Sequence, residues 1–170
     1  TNWQHKLGKA LFGEDLVHKY DIQKLARASQ SDVLMTFLAQ TGETDKLGGW
    51  LGQRREQSEE AIPVICDHAA WLYLAERFNL RIMGHMEPKP GLTPTTSHLK
   101  ALADIMASQQ VPVILETGYF PTKYGELLAR ESGAKIADLA HQVGGRPGTD
   151  DYFAMIAYNA GELNRVIREH

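Results

Sequence analysis

The stretch Ile62-Pro-Val-Ile-Cys-Asp-His-Ala-Ala-Trp-Leu-Tyr-Leu-Ala-Glu-Arg-Phe-Asn-Leu80, continuing through Arg81-Ile-Met-Gly-His-Met-Glu-Pro-Lys-Pro-Gly91, decides how the chain is read. A short apolar run, a polar residue and a histidine, an amphipathic segment and a second apolar run make the pattern of a βαβ unit. Strand one is expected over residues 62–66. The helix after it should bury Trp71, Leu74, Ala75 and Phe78 on one face and stop at Asn79. His68 stands at the hinge between them. Ligands of such units bind outside the carboxyl ends of the parallel strands, so His68 is either a group placed for chemistry or one that caps or packs against the helix start.

The alternation continues to the end of the chain. Strand two is expected over residues 80–83, and the turn Glu87-Pro-Lys-Pro-Gly-Leu-Thr-Pro94 holds three prolines that fix φ and forbid regular structure. Thr93 and Pro94 have the form of an N-cap and a first-turn proline opening a helix with Leu99, Leu102, Ala103 and Met106 on its inner face. Strand three is read over 111–115 and closed by Glu116; Pro121 opens a helix ending at Gly133; strand four is read over 134–137. After the loop 138–148, Thr149, Asp150 and Asp151 start a last helix carrying Phe153, Ile156, Ala160, Leu163 and Ile167. The fold class is therefore α/β, a small four-stranded parallel sheet with helices on both faces, spanning residues 61–170.

Residues 1–60 read as a helical lead-in packed on that lobe, one domain overall. Leu7, Leu11 and Phe12 suggest a helix stopped by Gly13; Asp21 can cap a turn with Ile22 and Leu25; Ser31 can cap Val33, Leu34, Phe37 and Leu38. Two glycines beside Trp50 cost roughly 1 kcal/mol each in a helix, so Leu47-Gly-Gly-Trp-Leu51 is expected to mark a close backbone approach. Arg54-Arg-Glu-Gln-Ser-Glu-Glu60 reads as a solvated charge run.

Length and composition exclude several classes. A chain of 170 residues with 43% hydrophobic and 23% charged residues can bury a core without staples. No apolar run approaches the roughly 20 residues of a membrane span. A net charge of -3 without a basic stripe argues against nucleic acid as a partner. Cys66 is the only cysteine and sits in an apolar strand, a core residue rather than a nucleophile. No signal peptide opens the chain, which leaves a cytoplasmic protein or a processed product.

Parallel strands bring His68, His85, Glu116 and the loop from Asp138 to His141 to one end of the sheet. Imidazole and carboxylate are the ligands zinc or manganese takes where cysteine is absent. The rival reading is a small α/β enzyme with His68 or His141 as general base oriented by Glu116 or Asp138. Neither a nucleophile elbow nor a Gly-rich phosphate loop supports it. His5, His18, His98 and His170 read as surface residues.

These residues resemble a family. Val64-Ile-Cys-Asp-His68-Ala-Ala-Trp-Leu-Tyr73, Glu87-Pro-Lys-Pro-Gly91-Leu-Thr-Pro94 with His98, and Asp150-Asp-Tyr152-Phe with Tyr158-Asn159 are similar to the zinc/manganese solute-binding proteins of ABC importers, ZnuA-like and TroA-like. Trp3-Gln-His-Lys-Leu7 and Leu47-Gly-Gly-Trp-Leu51 look like the lead-in seen there. The resemblance implies a protein of two α/β lobes with the metal in the cleft between them, of which this chain matches the second, C-terminal lobe. The N-terminal lobe, which normally supplies two histidines, is then expected to be missing. It implies no enzymatic activity, a periplasmic or extracytoplasmic location, an ABC permease as partner, and Zn²⁺, with Mn²⁺ as the alternative, as cargo. The family's histidine after strand one matches His68. For the loop after the last strand, where the usual Leu-Asp-Pro is replaced, His141 is nearest in register, then Asp138 and Glu116, with His85 a secondary candidate. A protein-interaction module derived from the same fold, no longer transporting, is the other class.

Overall fold

A computed structural model describes residues 2–28, 30–58 and 60–170. The chain divides into two compact units, Thr1–Ala61 with Tyr73–Asn79, and Ile62–Leu72 with Leu80–His170.

In the first unit the described residues are helical. The helices are α1 (Asn2–Phe12), α2 (Glu14–Lys19), α3 (Ile22–Arg27), α4 (Ser31–Thr41) and α5 (Gly49–Gln57), with a 3₁₀ turn at Thr44–Lys46. Gly13 ends α1 at φ 87°, and Asp21 caps α3 through Gln23 N, both as expected. Gln30 is the cap residue of α4, and Ser31 its first helical residue. The paired glycines do mark a close approach: Gly48 lies against Gly13, and Gly49, at φ 61°, faces the Ala10 carbonyl where a Cβ would collide. The helix α5 starts directly after that contact.

The charge run is corrected at its first residue. Arg54 is only 2% exposed, because its guanidinium donates to the carbonyls of Ser58 (3.1 Å), Glu60 (3.2 Å) and Asn79 (3.0 Å). Burial lowers its pKa to about 10. Asn79 adopts φ 53°, a left-handed turn that presents its carbonyl to this fork. Glu59 of that run lies outside the described residues.

The second unit holds β1 (Ile62–Cys66), β2 (Leu80–His85), β3 (Val113–Thr117) and β4 (Lys135–Leu139), all parallel, in the order β2-β1-β3-β4. β1 falls where expected; β2 runs two residues further, and β3 and β4 are shifted toward the carboxyl side. The reason is local: Pro112 precedes β3, and its carbonyl accepts from Lys135 N (2.8 Å), which sets where β3 and β4 begin to pair.

In chain order α6 (Leu72–Arg77), which apart from Leu72 belongs to the first unit, follows β1; α7 (Thr96–Ser108) follows β2, α8 (Lys123–Ser132) follows β3, and α9 (Tyr152–Arg168) follows β4. Thr95, not Thr93, caps α7, its hydroxyl accepting from His98 N (3.2 Å). Asp151 caps α9, while Thr149 is buried in the turn before it. The buried stripe of α9 is Met155, Asn159, Ala160, Leu163, Asn164 and Val166; Phe153, Ile156 and Ile167 flank it half-buried.

Strand alternation sorts the core. Ile65 and Ile114 pack with Leu102 and Met106 of α7 and Leu128 of α8. Val64, Cys66, Val113 and Leu115 point to the other face and are wholly buried. Right-handed crossovers put α7 and α8 on the first face, because β2 to β3 and β3 to β4 run one way, and the β1 to β2 step runs the other. The strand order therefore reverses between β1 and β3, the place where open α/β sheets leave a crevice. Cys66 is buried on that sheet and its thiol pKa is pushed upward by burial and by Asp67, as suits a core residue.

Arg54→Ala is expected to leave the Ser58 and Asn79 carbonyls without the guanidinium that bonds them and to cost about 1–3 kcal/mol, measured by urea unfolding.

Candidate metal centre

The crevice at the carboxyl ends of β1 and β3 is closed by one carboxylate. Asp67, the first residue after β1, is 5% exposed and accepts five hydrogen bonds. Its Oδ1 takes His68 N (2.7 Å), His68 Nδ1 (2.7 Å) and Trp71 Nε1 (3.1 Å). Its Oδ2 takes Thr117 N (2.7 Å) and Thr117 Oγ1 (2.8 Å) at the end of β3. One side chain thus joins the β1 exit to the β3 exit and turns the His68 ring. Because the carboxylate can only accept, Nδ1 of His68 carries the proton and Nε2 keeps its lone pair free. This is the carboxylate–histidine arrangement that orients metal ligands.

His141, in the loop after β4, approaches that ring. The two imidazole centroids are 5.7 Å apart at 56°. Two imidazoles sharing one tetrahedral zinc, with Zn–N near 2.1 Å, would have centroids about 5 Å apart, close to the separation of these two rings. Aromatic rings set the rest of the frame. Phe120 stacks on His68 at 4.3 Å, and Trp71 and Tyr119 each present edges to His141 at 5.9 Å. His68 is largely shielded, with 16% of its side chain accessible, while His141 is exposed.

The carboxyl candidates occupy a different place. Glu116 and Asp138 are register partners on β3 and β4 and share the face that carries Ile114 and Ile136. Glu116 is 4% exposed; its Oε1 seats against Gly125 of α8, where a Cβ would collide, and has no hydrogen-bond partner. Burial, then Asp67, Glu126 and Asp138, raises its pKa to about 7. Asp138 pairs with Arg146, whose guanidinium lies over Gly118. His85 ends β2; burial and then His68 lower its pKa. Its carbonyl accepts from His98 Nε2 (2.8 Å), so His98 is a half-buried strut rather than a surface residue. Among the described residues, no three His, Cys, Asp or Glu side chains gather closely enough to hold a metal together. The geometry offers a pair of imidazoles.

The profile of a family described as zinc-uptake complex component A, periplasmic (ZnuA), matches residues 21–166. The chain belongs to the ZnuA family. ZnuA-family proteins bind solutes rather than transform them. No curated protein sequence matches the chain. Among solved structures, the solute-binding protein FpvC of Pseudomonas aeruginosa in complex with Mn²⁺ is similar at 26% identity and TM-score 0.56, over 88% of this chain and 56% of that one. FpvC with Ni²⁺ is similar at 24% identity and TM-score 0.55, over 97% and 57%. The laminin-binding protein Lbp of Streptococcus pyogenes shares the fold at 20% identity and TM-score 0.55, over 98% and 59%. The chain spans little more than half the length of each of these structures. No helix among the described residues is long and apolar enough to cross a membrane.

Asp67, the centre of this hydrogen-bonded arrangement, was not singled out by the sequence. Its signal was present: an acid directly before a histidine at a strand end, with an indole donor four residues on, is one helical turn of potential hydrogen-bond partners.

Asp67→Asn would turn an amide N–H₂ toward donors it cannot satisfy. We expect a loss of about 1–3 kcal/mol, together with long-range ¹⁵N spectra in which His68 changes from the Nδ1–H tautomer to a mixture. For Glu116, the folded state holds a proton between pH 4.5 and about 7 that the unfolded chain releases, so stability should fall as pH rises through that window. Glu116→Gln should flatten this dependence, read from urea midpoints at pH 5 and pH 8.

Proposed function

We propose that this chain is the metal-capturing lobe of a zinc-delivering solute-binding protein, with His68 and His141 as its two contributions to the ion. The observation that carries the reading is the imidazole pair at 5.7 Å, one ring oriented by a buried carboxylate. Membership of a family named for zinc uptake supports it, as does the metal bound by the similar FpvC structures. Residues 61–170 form the lobe in this proposal, and residues 1–60 its lead-in.

Two neutral nitrogen donors suit Zn²⁺ better than Mn²⁺, which prefers oxygen. Capture needs no bond making beyond coordination. Zn²⁺ replaces water with Nε2 of His68 and a ring nitrogen of His141, and groups of an N-terminal lobe complete the set of four that a closed zinc site requires. Closing of the cleft then presents the loaded protein to an ABC permease outside the cytoplasm. Asp138, held by Arg146, serves the loop rather than the ion, and Glu116 and His85 flank the site.

The test is a zinc titration against a competing chromophoric chelator. The chain should fold without metal and bind zinc weakly, and His68→Ala and His141→Ala should each sharply reduce that affinity, leaving a measurable remainder at high zinc. A nanomolar site in the monomer, or three coincident curves, would overturn the assignment.

A further inference from the structure

His141 is the exposed member of the pair, yet the backbone that carries it is not free. Ala140, the residue before it, lies one step past the end of β4, where no strand pairs with it among the described residues. Its N–H and its carbonyl are both taken by one side chain. Ala140 N donates to Asn159 Oδ1 (2.7 Å), and Asn159 Nδ2 donates to the Ala140 carbonyl (2.9 Å). The neighbouring Tyr158 reaches the same segment, its hydroxyl donating to the Asp138 carbonyl (3.1 Å). Two consecutive residues of α9 thus grip alternate residues of the chain leading to His141.

Asn159 is 2% exposed and sits inside the buried stripe of a 17-residue helix. At such a position leucine favours the helix and the core, whereas a buried amide must be fully bonded to be tolerated. Here both of its polar atoms are satisfied by the N–H and the carbonyl of a single residue, in the manner of an added strand. The rotation of the bonds on either side of Ala140 sets where the Cα of His141 lies, and the rings of Trp71 and Tyr119 then limit its side chain.

We propose that Asn159 is the positioning residue of His141, holding the Ala140 peptide so that the imidazole stands ready beside His68 before any ion arrives. This rests on the reading of His141 as a ligand. Pre-ordering a ligand removes the entropy cost of fixing it at binding, and loss of such supporting contacts weakens metal binding by about 10–100-fold.

The experiment compares the chain with Asn159→Leu, Asn159→Asp, His141→Ala and the double variant His141→Ala with Asn159→Leu. Each is titrated with Zn²⁺ against a chromophoric chelator, and circular dichroism reports folding. Nuclear Overhauser contacts from the His141 ring to Trp71 and Tyr119 are recorded without metal. Asn159→Leu should weaken zinc binding about tenfold or more and erase those ring contacts while the chain stays folded. Adding it to His141→Ala should change the residual affinity no further. Asn159→Asp, which keeps the size and the acceptor for Ala140 N, should give a smaller loss and carries the test if leucine prevents folding. Unchanged zinc affinity and ring contacts in the Asn159 variants, with a His141-dependent wild-type signal, would overturn the positioning role and leave the ligand assignment standing. An equal further loss in the His141→Ala background would reduce Asn159 to a structural residue. A wild-type chain whose zinc binding ignores His141 would overturn the ligand assignment and this inference with it.

Discussion

The buried carboxylate of Asp67 is the interaction on which the rest of the second unit depends. It lies where the strand order reverses, and without it the exits of β1 and β3 would present their unpaired N–H groups to an apolar interior. Thr117 N and His68 N both end on its oxygens, so the crevice is a bonded seam rather than a gap. An acceptor with five donors leaves no lone pair to spare for an ion. Asp67 is thus taken up wholly by the protein itself, and it acts on the site only through the His68 ring it turns.

Charge is partitioned by the pleat of the sheet. The imidazoles stand above the strand ends, framed by Phe120, Trp71 and Tyr119, whereas Glu116 and Asp138 look toward α8. Had all four converged, the carboxylates would compete for the same cation and draw the site toward oxygen-loving ions. Instead Arg146 neutralises Asp138, and Glu116 is left against a glycine where only a protonated carboxyl is comfortable at moderate pH.

The fold was legible because β1, its helix and β2 alternate cleanly, and because parallel strands oblige their carboxyl ends to share one edge. His68 and His141 could be paired from that argument and from the family resemblance. What could not be read was which side of the sheet each strand-end residue faced. Placed one residue beyond the end of β3, Glu116 had no face of its own in the sequence; β3 runs through it, and its pairing with Asp138 puts both on the face of Ile114 and Ile136. Arg54 was misread for a related reason: a run of charges does not show that two turn carbonyls within it and the distant carbonyl of Asn79 converge on one guanidinium. The same holds for Asn159, whose partner is 19 residues away.

The five bonds of Asp67 differ in what they ask of the residue beside it. Four of them go to the backbone of residue 68, to the indole of Trp71 and to Thr117; the remaining one needs an imidazole. The seam is therefore largely indifferent to the side chain at position 68. Exchange of that histidine would leave four of the five bonds in place, so the architecture of the crevice is separable from the chemistry that the side chain at 68 contributes to it.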